Sequence, residues 1–181
     1  LRSYQTVDGS FSYWPGGTAP NAWGTVYAIH FLLEAEKKGY LVPEGMKRNA
    51  LNDLSRIARN WKPEASYSAE SEEMTQAYRL FVLALGQVAE VGAMNRLKES
   101  KTLMSMSRYL LAAGYALVGR PDVSKELVVK TTALTTACSG YDQTFGSDLR
   151  DASIRLMTLC LLDGGKEAAL LANEISKTLS F

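Results

Sequence analysis

Two acids near the start of a late helical segment have a spacing that could support chemistry. Asp148 and Asp151 are three residues apart, so both project from one face of a helix. Two carboxylates at that spacing could bind a metal ion or act as general acid and base. We favour a structural interpretation, in which both acids stabilise the positive end of the helix and pair with Arg150 or Arg155. We therefore predict no catalytic residue and no metal ligand here, and we retain Asp148 and Asp151 as surface candidates.

His30 is the only histidine in the chain. It lies on one stripe with Trp23, Val26 and Tyr27, at steps of three and four residues. A histidine could act as a base, but no serine, cysteine or aspartate nucleophile motif accompanies this one. The pattern favours a core histidine whose hydrogen bonds are satisfied, and His30 is kept as a pocket candidate.

Aromatic residues crowd the turn at residues 8–17, which comes before the segment that holds His30. Phe11, Tyr13 and Trp14 could form a platform on which a sugar stacks, or they could close the end of a ring of helices. We favour the second interpretation, and Tyr13 and Trp14 are the surface candidates of this turn.

The two cysteines match the spacing of no zinc or redox motif. Cys160 lies in an apolar helical run, which predicts a buried free thiol. Cys138 lies in a loop rich in threonine, serine and glycine, and it could pair with Cys160 in an oxidising compartment.

Helices must position these residues, because apolar side chains recur at steps of three and four along most of the chain. Segments that are mostly apolar alternate with segments that carry a single apolar stripe. The first kind covers residues 22–38, 71–85, 103–118 and 147–162, and the second covers residues 46–61, 94–99, 122–130 and 166–179. Residues 131–136 form the only candidate strand, and its pattern is weak.

The alternation predicts an all-α fold with two concentric layers, a partial α/α toroid of four helical hairpins. A compact orthogonal bundle is the alternative. Residues 22–33 have no readily charged side chain except His30, so we expect other elements to enclose this helix on all sides. Residues 1–181 are predicted to form a single domain.

Composition excludes several classes of protein. The hydrophobic fraction is 46%, the charged fraction is 22% and the formal net charge is +1, which is typical of a soluble globular domain. The charge balance supplies neither the basic patch that nucleic-acid binding needs nor a polybasic membrane anchor. No run is apolar enough to insert into a membrane, and no motif predicts a cofactor. The chain begins at Leu1, and we expect it to be a piece of a longer protein.

Four segments, in this order, resemble the thioester domain of the alpha-2-macroglobulin and complement family, and its bacterial branch above all. The first runs from Asp8-Gly9-Ser10-Phe11-Ser12 through a glycine turn to Trp23-Gly24-Thr25. The other three are residues 110–119, residues 145–151 and the closing helix rich in alanine and leucine. The resemblance covers nearly the whole chain.

The resemblance implies a fragment of a very large periplasmic, cell-surface or secreted protein, a broad-spectrum endopeptidase inhibitor in host or competitor defence. In that family a protease cuts a bait region and the molecule rearranges. An internal thioester, formed within a Cys-x-Glu-Gln motif, then acylates a lysine of the attacker. The implied partners are the other domains of the parent chain and the target proteases.

This chain departs from the family pattern at the reactive group. Cys138 is followed by Ser139-Gly140 and Cys160 by Leu161-Leu162, so neither cysteine belongs to a Cys-x-Glu-Gln motif. His30 is not at the position of the histidine that some complement relatives use. The resemblance therefore implies a non-catalytic fragment without a thioester, with fewer hairpins than a closed ring and an exposed apolar flank.

Two other classes of protein share the predicted architecture. Terpenoid cyclases, prenyltransferases and several glycoside-processing enzymes are α/α toroids, but they need an acid cluster, zinc ligands or two carboxylates across a cleft. The sequence contains none of these in recognisable form. A helical scaffold that binds a protein partner on an exposed face is the third possibility.

Overall fold

The computed structural model describes residues 1–63, 69–100, 103–129 and 144–179, which form eight α-helices, a short 3-10 helix and no strand. The 3-10 helix is Arg2–Tyr4, and two isolated β-bridges follow it. The α-helices are α1 (Ala22–Lys37), α2 (Glu44–Asn60), α3 (Ala69–Leu85), α4 (Val91–Lys98), α5 (Ser105–Leu117), α6 (Pro121–Val129), α7 (Asp148–Leu161) and α8 (Gly165–Leu179). All eight predicted helices are present, with ends that differ by at most a few residues. Residues 131–136 lie outside the described residues.

The helices are arranged in two layers. The odd-numbered helices form an inner row in which α1 packs on α3, α3 on α5, and α5 on α7. The even-numbered helices back this row: α2 packs on α1 and α3, α4 on α3 and α5, α6 on α5, and α8 on α7. The predicted all-α, partial α/α toroid is therefore confirmed.

Burial is greatest at the middle of the inner row. In α3 and α5 most side chains are buried, and these helices supply much of one continuous hydrophobic core. Within the described part of the chain, none of the helices is long and apolar enough to cross a lipid bilayer.

The expectation that the first helix is enclosed on all sides is wrong. In α1, Tyr27 and Phe31 are 64% and 58% exposed. The last inner helix, α7, buries only Asp151, Thr158 and Leu159. The physical reason is position: among the described helices, α1 and α7 end the inner row, so each has an inner neighbour on one side only. The predicted apolar flank is thus present on α1.

The turn at residues 8–17 is fixed to α1 and α2 by buried contacts. The Phe11 ring enters the core. Its amide donates to Thr25 Oγ1 at 2.9 Å, and the same hydroxyl donates back to the Phe11 carbonyl at 3.1 Å. Asn21 caps α1 by accepting a hydrogen bond from the Gly24 amide at 2.6 Å. The side chains of Thr25 and Asn21 thus fix the orientation of the turn relative to α1.

Asp53 also fixes the turn. Its sequence pattern predicts that it lies on the charged, exposed face of α2, but the structure buries it. It is 5% exposed. The Ser10 hydroxyl donates to Asp53 Oδ2 at 2.5 Å, and Arg56 forms an ion pair with Oδ1. A buried carboxylate needs such partners, and the turn provides one of them from 43 residues away in sequence.

The prediction of a buried thiol at Cys160 is wrong, because Cys160, on α7, is free and exposed. The apolar run around it does not identify which face of the helix is covered. Cys138, its predicted partner in an oxidising compartment, lies outside the described residues.

Candidate functional site

A cleft of about 350 Å³ lies between the two ends of the inner row, where α1 and α7 face one another across α3. We call it the aromatic cleft, because rings line most of it. Its lining includes Trp23, Tyr27, His30, Tyr78, Phe81, Phe145, Arg150, Ile154 and Met157. A cavity of this size is within the range of small-molecule and side-chain binding sites.

The rings that line the cleft pack on one another across α1 and α3. The Trp23 and Tyr78 ring centroids are 4.9 Å apart, and Tyr78 stacks on Phe81 at 6.4 Å. His30 meets Tyr78 and Phe81 edge to face, at 5.7 and 5.5 Å. Edge-to-face and offset pairs are the favoured arrangements of aromatic rings, so these contacts stabilise the wall of the cleft.

His30 has a hydrogen-bond partner in the cleft, as the sequence pattern predicts for a core histidine, although the residue is only half-buried. Its Nδ1 atom lies 2.8 Å from the Tyr78 hydroxyl oxygen. Burial raises the pKa of Tyr78 well above its ordinary value, so the phenol keeps its proton and can donate it to a neutral imidazole. Burial lowers the pKa of His30, which Glu34 partly opposes. The pair is therefore neutral near pH 7.

We expect His30 to make the stability of the chain depend on pH. Because its pKa in the folded chain is below the ordinary 6.5, the unfolded chain binds more protons as the pH falls through this region. The contribution of His30 to the free energy of unfolding is thus fully present above pH 6.5 and decreases as the pH falls. Thermal melts between about pH 5 and 7.5 measure this dependence. The His30→Gln variant should show a shallower slope, and an unchanged slope would refute the assignment.

Arg150 connects the turn before α7 to the cleft. Its Nη1 atom donates to the Thr144 carbonyl at 3.0 Å, and Nη2 lies 2.7 Å from Asp151 Oδ1. The guanidinium also lies over the Trp23 ring, 6.0 Å from its centroid. The predicted pairing of Asp151 with an arginine is therefore present, and it is Arg150 rather than Arg155 that forms it.

The other site candidates lie on separate surfaces. Asp148 is exposed and lines a groove between α7 and α8, away from the aromatic cleft. Tyr13 and Trp14 are 58% and 71% exposed, with ring centroids 5.0 Å apart. Tyr13 lines a third cavity, of about 240 Å³, between the turn and α1. The structure thus does not bring His30, Asp148 and the turn aromatics together.

The chemistry available in the aromatic cleft is binding by apolar contact. Among the described residues, no three or more histidine, cysteine, aspartate or glutamate side chains are placed to hold a metal ion. The cleft contains a neutral histidine–tyrosine pair and an arginine that already pairs with Asp151.

Sequence reasoning did not identify Tyr78, Phe81 or Arg150 as site residues. Tyr78 is 48 residues from His30 along the chain, and nothing in a single sequence pairs them. The apolar spacing of α3 was the one available signal, because it placed Tyr78 and Phe81 in an inner helix.

No protein-family model matches the chain. The alpha-2-macroglobulin of Escherichia coli strain K12 is 28% identical over 167 residues, which are 88% of this chain and 10% of that protein. The alpha-2-macroglobulin of Xylella fastidiosa is 28% identical over 163 residues, covering 86% of this chain and 10% of that protein. The chain therefore spans about a tenth of the length of the curated relatives it matches.

A solved structure gives the same result for the fold. Native alpha-2-macroglobulin from Escherichia coli, in a crystal structure that spans domain MG7 to the C-terminus, superimposes with a TM-score of 0.83 at 23% identity. The match covers 99% of this chain and 29% of that one. The Escherichia coli protein has also been solved after activation by trypsin.

The two layers of helices and the open inner row define an all-α, partial α/α toroid. The chain is homologous to bacterial alpha-2-macroglobulins, and its fold matches the C-terminal portion of that of Escherichia coli. The family resemblance noted from the sequence is thereby confirmed.

Proposed function

We propose that this chain is the thioester-domain portion of an alpha-2-macroglobulin-like protein whose whole molecule inhibits endopeptidases. The observation that carries the proposal is the homology along 86% and 88% of the chain to two bacterial alpha-2-macroglobulins. Activation of the Escherichia coli protein by trypsin supports a role in which a protease is the target. In this proposal residues 1–181 form one domain, and the chain itself carries no catalytic group.

The partners we propose are the other domains of the parent chain and the target proteases. The exposed flank of α1 supports the first of these. Tyr27 and Phe31 are more than half exposed, and they line a cavity with Tyr13 beside the turn. Large apolar side chains in one exposed patch mark a contact surface, and a neighbouring part of the parent chain would bury them.

We propose that the parent acts in the periplasm or at the bacterial cell surface, in defence against proteases of a host or a competitor. The relatives come from Escherichia coli and Xylella fastidiosa, both bacteria. An inhibitor in that location meets foreign proteases before they reach the rest of the cell.

The proposal is tested by incubating the full parent protein with trypsin. If the parent encloses the protease after cleavage, hydrolysis of a large protein substrate should fall while hydrolysis of a small chromogenic peptide continues. The physical reason is steric: a trapped protease stays active but is reached only by small molecules.

The matched control is the 181-residue chain alone at the same molar excess. Since its two cysteines lie outside any Cys-x-Glu-Gln motif, we expect trypsin to remain fully active on both substrates. Equal loss of both activities with the parent would contradict a trap and indicate blockage of the protease active site. Hydrolysis of a substrate by the chain itself, in the absence of trypsin, would contradict the non-catalytic assignment.

A further inference from the structure

Another open cavity, of about 370 Å³, lies at the N-terminal ends of α1 and α3. We call it the Arg79 cavity. Its walls include the rings of Trp23 and Trp61, and Asn21, the N-cap of α1, lies at its edge. Glu72 and Arg79 both line it from α3. The cavity thus combines an apolar wall with charged groups.

Arg79 is a buried cation whose guanidinium is only partly satisfied. The residue is 5% exposed. Its Nη1 atom donates to Gln76 Oε1, and the Gln76 amide is held in turn by the Ala58 carbonyl at 3.0 Å. Within the described part of the chain, Arg79 Nε has no hydrogen-bond partner and the guanidinium forms no ion pair.

The guanidinium nevertheless stays charged at neutral pH. Burial lowers the pKa of Arg79 to about 10, and the charge of Asp53 opposes part of that decrease. Asp53 is itself paired with Arg56 and bonded to Ser10. A buried cation without its own carboxylate is costly, because desolvation is not offset by a close ion pair.

These observations point to an anion as the complement of the cavity. A carboxylate binds a guanidinium through charge-assisted hydrogen bonds. Because Arg79 Nε is fully buried, the terminal Nη atoms are the ones that an anion in the cavity would contact. The N-terminal end of α1 adds positive potential at the same place, whereas Glu70 and Glu72 in the first turn of α3 reduce that of the α3 end. Glu72 lies seven residues before Arg79, about 10 Å away along the helix, and its charge opposes a dianion more strongly than a monoanion bound at Arg79.

We propose that the Arg79 cavity binds a carboxylate attached to an aromatic or apolar group. The carboxylate pairs with Arg79, and the apolar group lies against Trp23 and Trp61. Two sources share this chemistry: a small aromatic acid and the C-terminal residue of a peptide. The inference does not depend on the proposed inhibitory function, since it concerns only residues of this chain.

The test is a titration of the 181-residue chain with 3-phenylpropionate and, separately, with its uncharged amide. Binding is measured by calorimetry and by tryptophan fluorescence. We expect the acid to bind at least about tenfold more tightly than the amide, because a charged hydrogen-bonded pair with Arg79 forms only with the acid. A short peptide ending in phenylalanine, with a free or an amidated C-terminus, distinguishes the two sources. Binding of either free acid supports the proposal.

Variants assign the effect to the cavity. Arg79→Met keeps the length of the side chain and removes the charge, so it should abolish the preference for the acid. Arg120→Met is the matched control, because Arg120 is exposed and pairs only with Asp122 in the described structure; it should bind as the unmodified chain does. If Arg79→Met fails to fold, Arg79→Lys keeps the charge without the planar fork and should bind the acid more weakly than arginine does.

Three results would overturn the proposal: absence of binding for both free acids at millimolar concentration, equal affinity for acid and amide, or undiminished binding of the acid by the Arg79 variants.

Discussion

Replacing Gly9 with alanine is expected to lower the free energy of unfolding by about 3 kcal/mol or more. Gly9 has a φ of +102°, a conformation that residues with a Cβ atom rarely adopt. A Cβ atom there would lie 2.5 Å from the carbonyl oxygen of Asn49 and 2.7 Å from its carbonyl carbon. Both atoms belong to the backbone of α2, which cannot move aside as a flexible side chain does. The turn would have to separate from α2, so Ser10 would lose its bond to Asp53.

Gly16→Ala is the matched control for this prediction. Gly16 lies in the same turn at a φ of +73°, but a Cβ atom there meets nothing within 4 Å. The control therefore adds backbone strain of about 1 kcal/mol without the contact. Chemical denaturation of both variants measures the difference. Similar losses would show that the approach of the turn to α2 does not matter for stability.

Leu111→Ala is the second change with a large expected effect, a loss of about 3 to 4 kcal/mol in the free energy of unfolding. Leu111 is 0% exposed and belongs to the core at the middle of the inner row. Its helix, α5, packs against α3, α6 and α7, so the surrounding helices cannot all collapse into the space that the leucine leaves. The melting temperature should fall by roughly 10 °C for a chain of this length.

Leu170→Ala provides the comparison, because Leu170 on α8 is 66% exposed. Truncating it removes little buried surface, so the melting temperature should change by no more than about 2 °C. Scanning calorimetry on both variants tests the pair. A small effect at Leu111 would mean that α5 is not the centre of the packed core.

The helices could be predicted from the sequence because the signal is local. Apolar residues at steps of three and four located all eight, and the contrast between all-round apolar and one-sided segments assigned them to two layers. The motif around Asp8–Phe11 and Trp23 indicates the alpha-2-macroglobulin relatives to which the chain is homologous.

Burial at the ends of the row could not be predicted in the same way. The composition of residues 22–33 indicates a helix enclosed on all sides, yet Tyr27 and Phe31 are exposed. Apolar composition shows only that burial of these side chains would be favourable. Whether a neighbour exists to bury it depends on the number of helices in the ring. Cys160 on α7 likewise lies in an apolar run but is exposed.

The candidate sites are the part of the structure that the sequence predicts least well. The spacing within α1 identifies His30 as a candidate, but its partner Tyr78 comes from another helix, and the cleft that both line is formed by residues of α1, α3, α5 and α7. The same holds for Arg79. In the sequence it is the one charged residue of an apolar run, and only the packing of the helices buries it beside a cavity.

Local patterns predict the helices and the two layers, because the spacing of apolar residues is set within a few turns. The family resemblance follows from four short motifs and their order along the chain. Which faces stay open, which polar groups are buried together and where the cavities lie could be seen only once the helices were packed. The physical reason is that burial and pairing are properties of contacts between residues far apart in the chain, such as Ser10 with Asp53 or His30 with Tyr78.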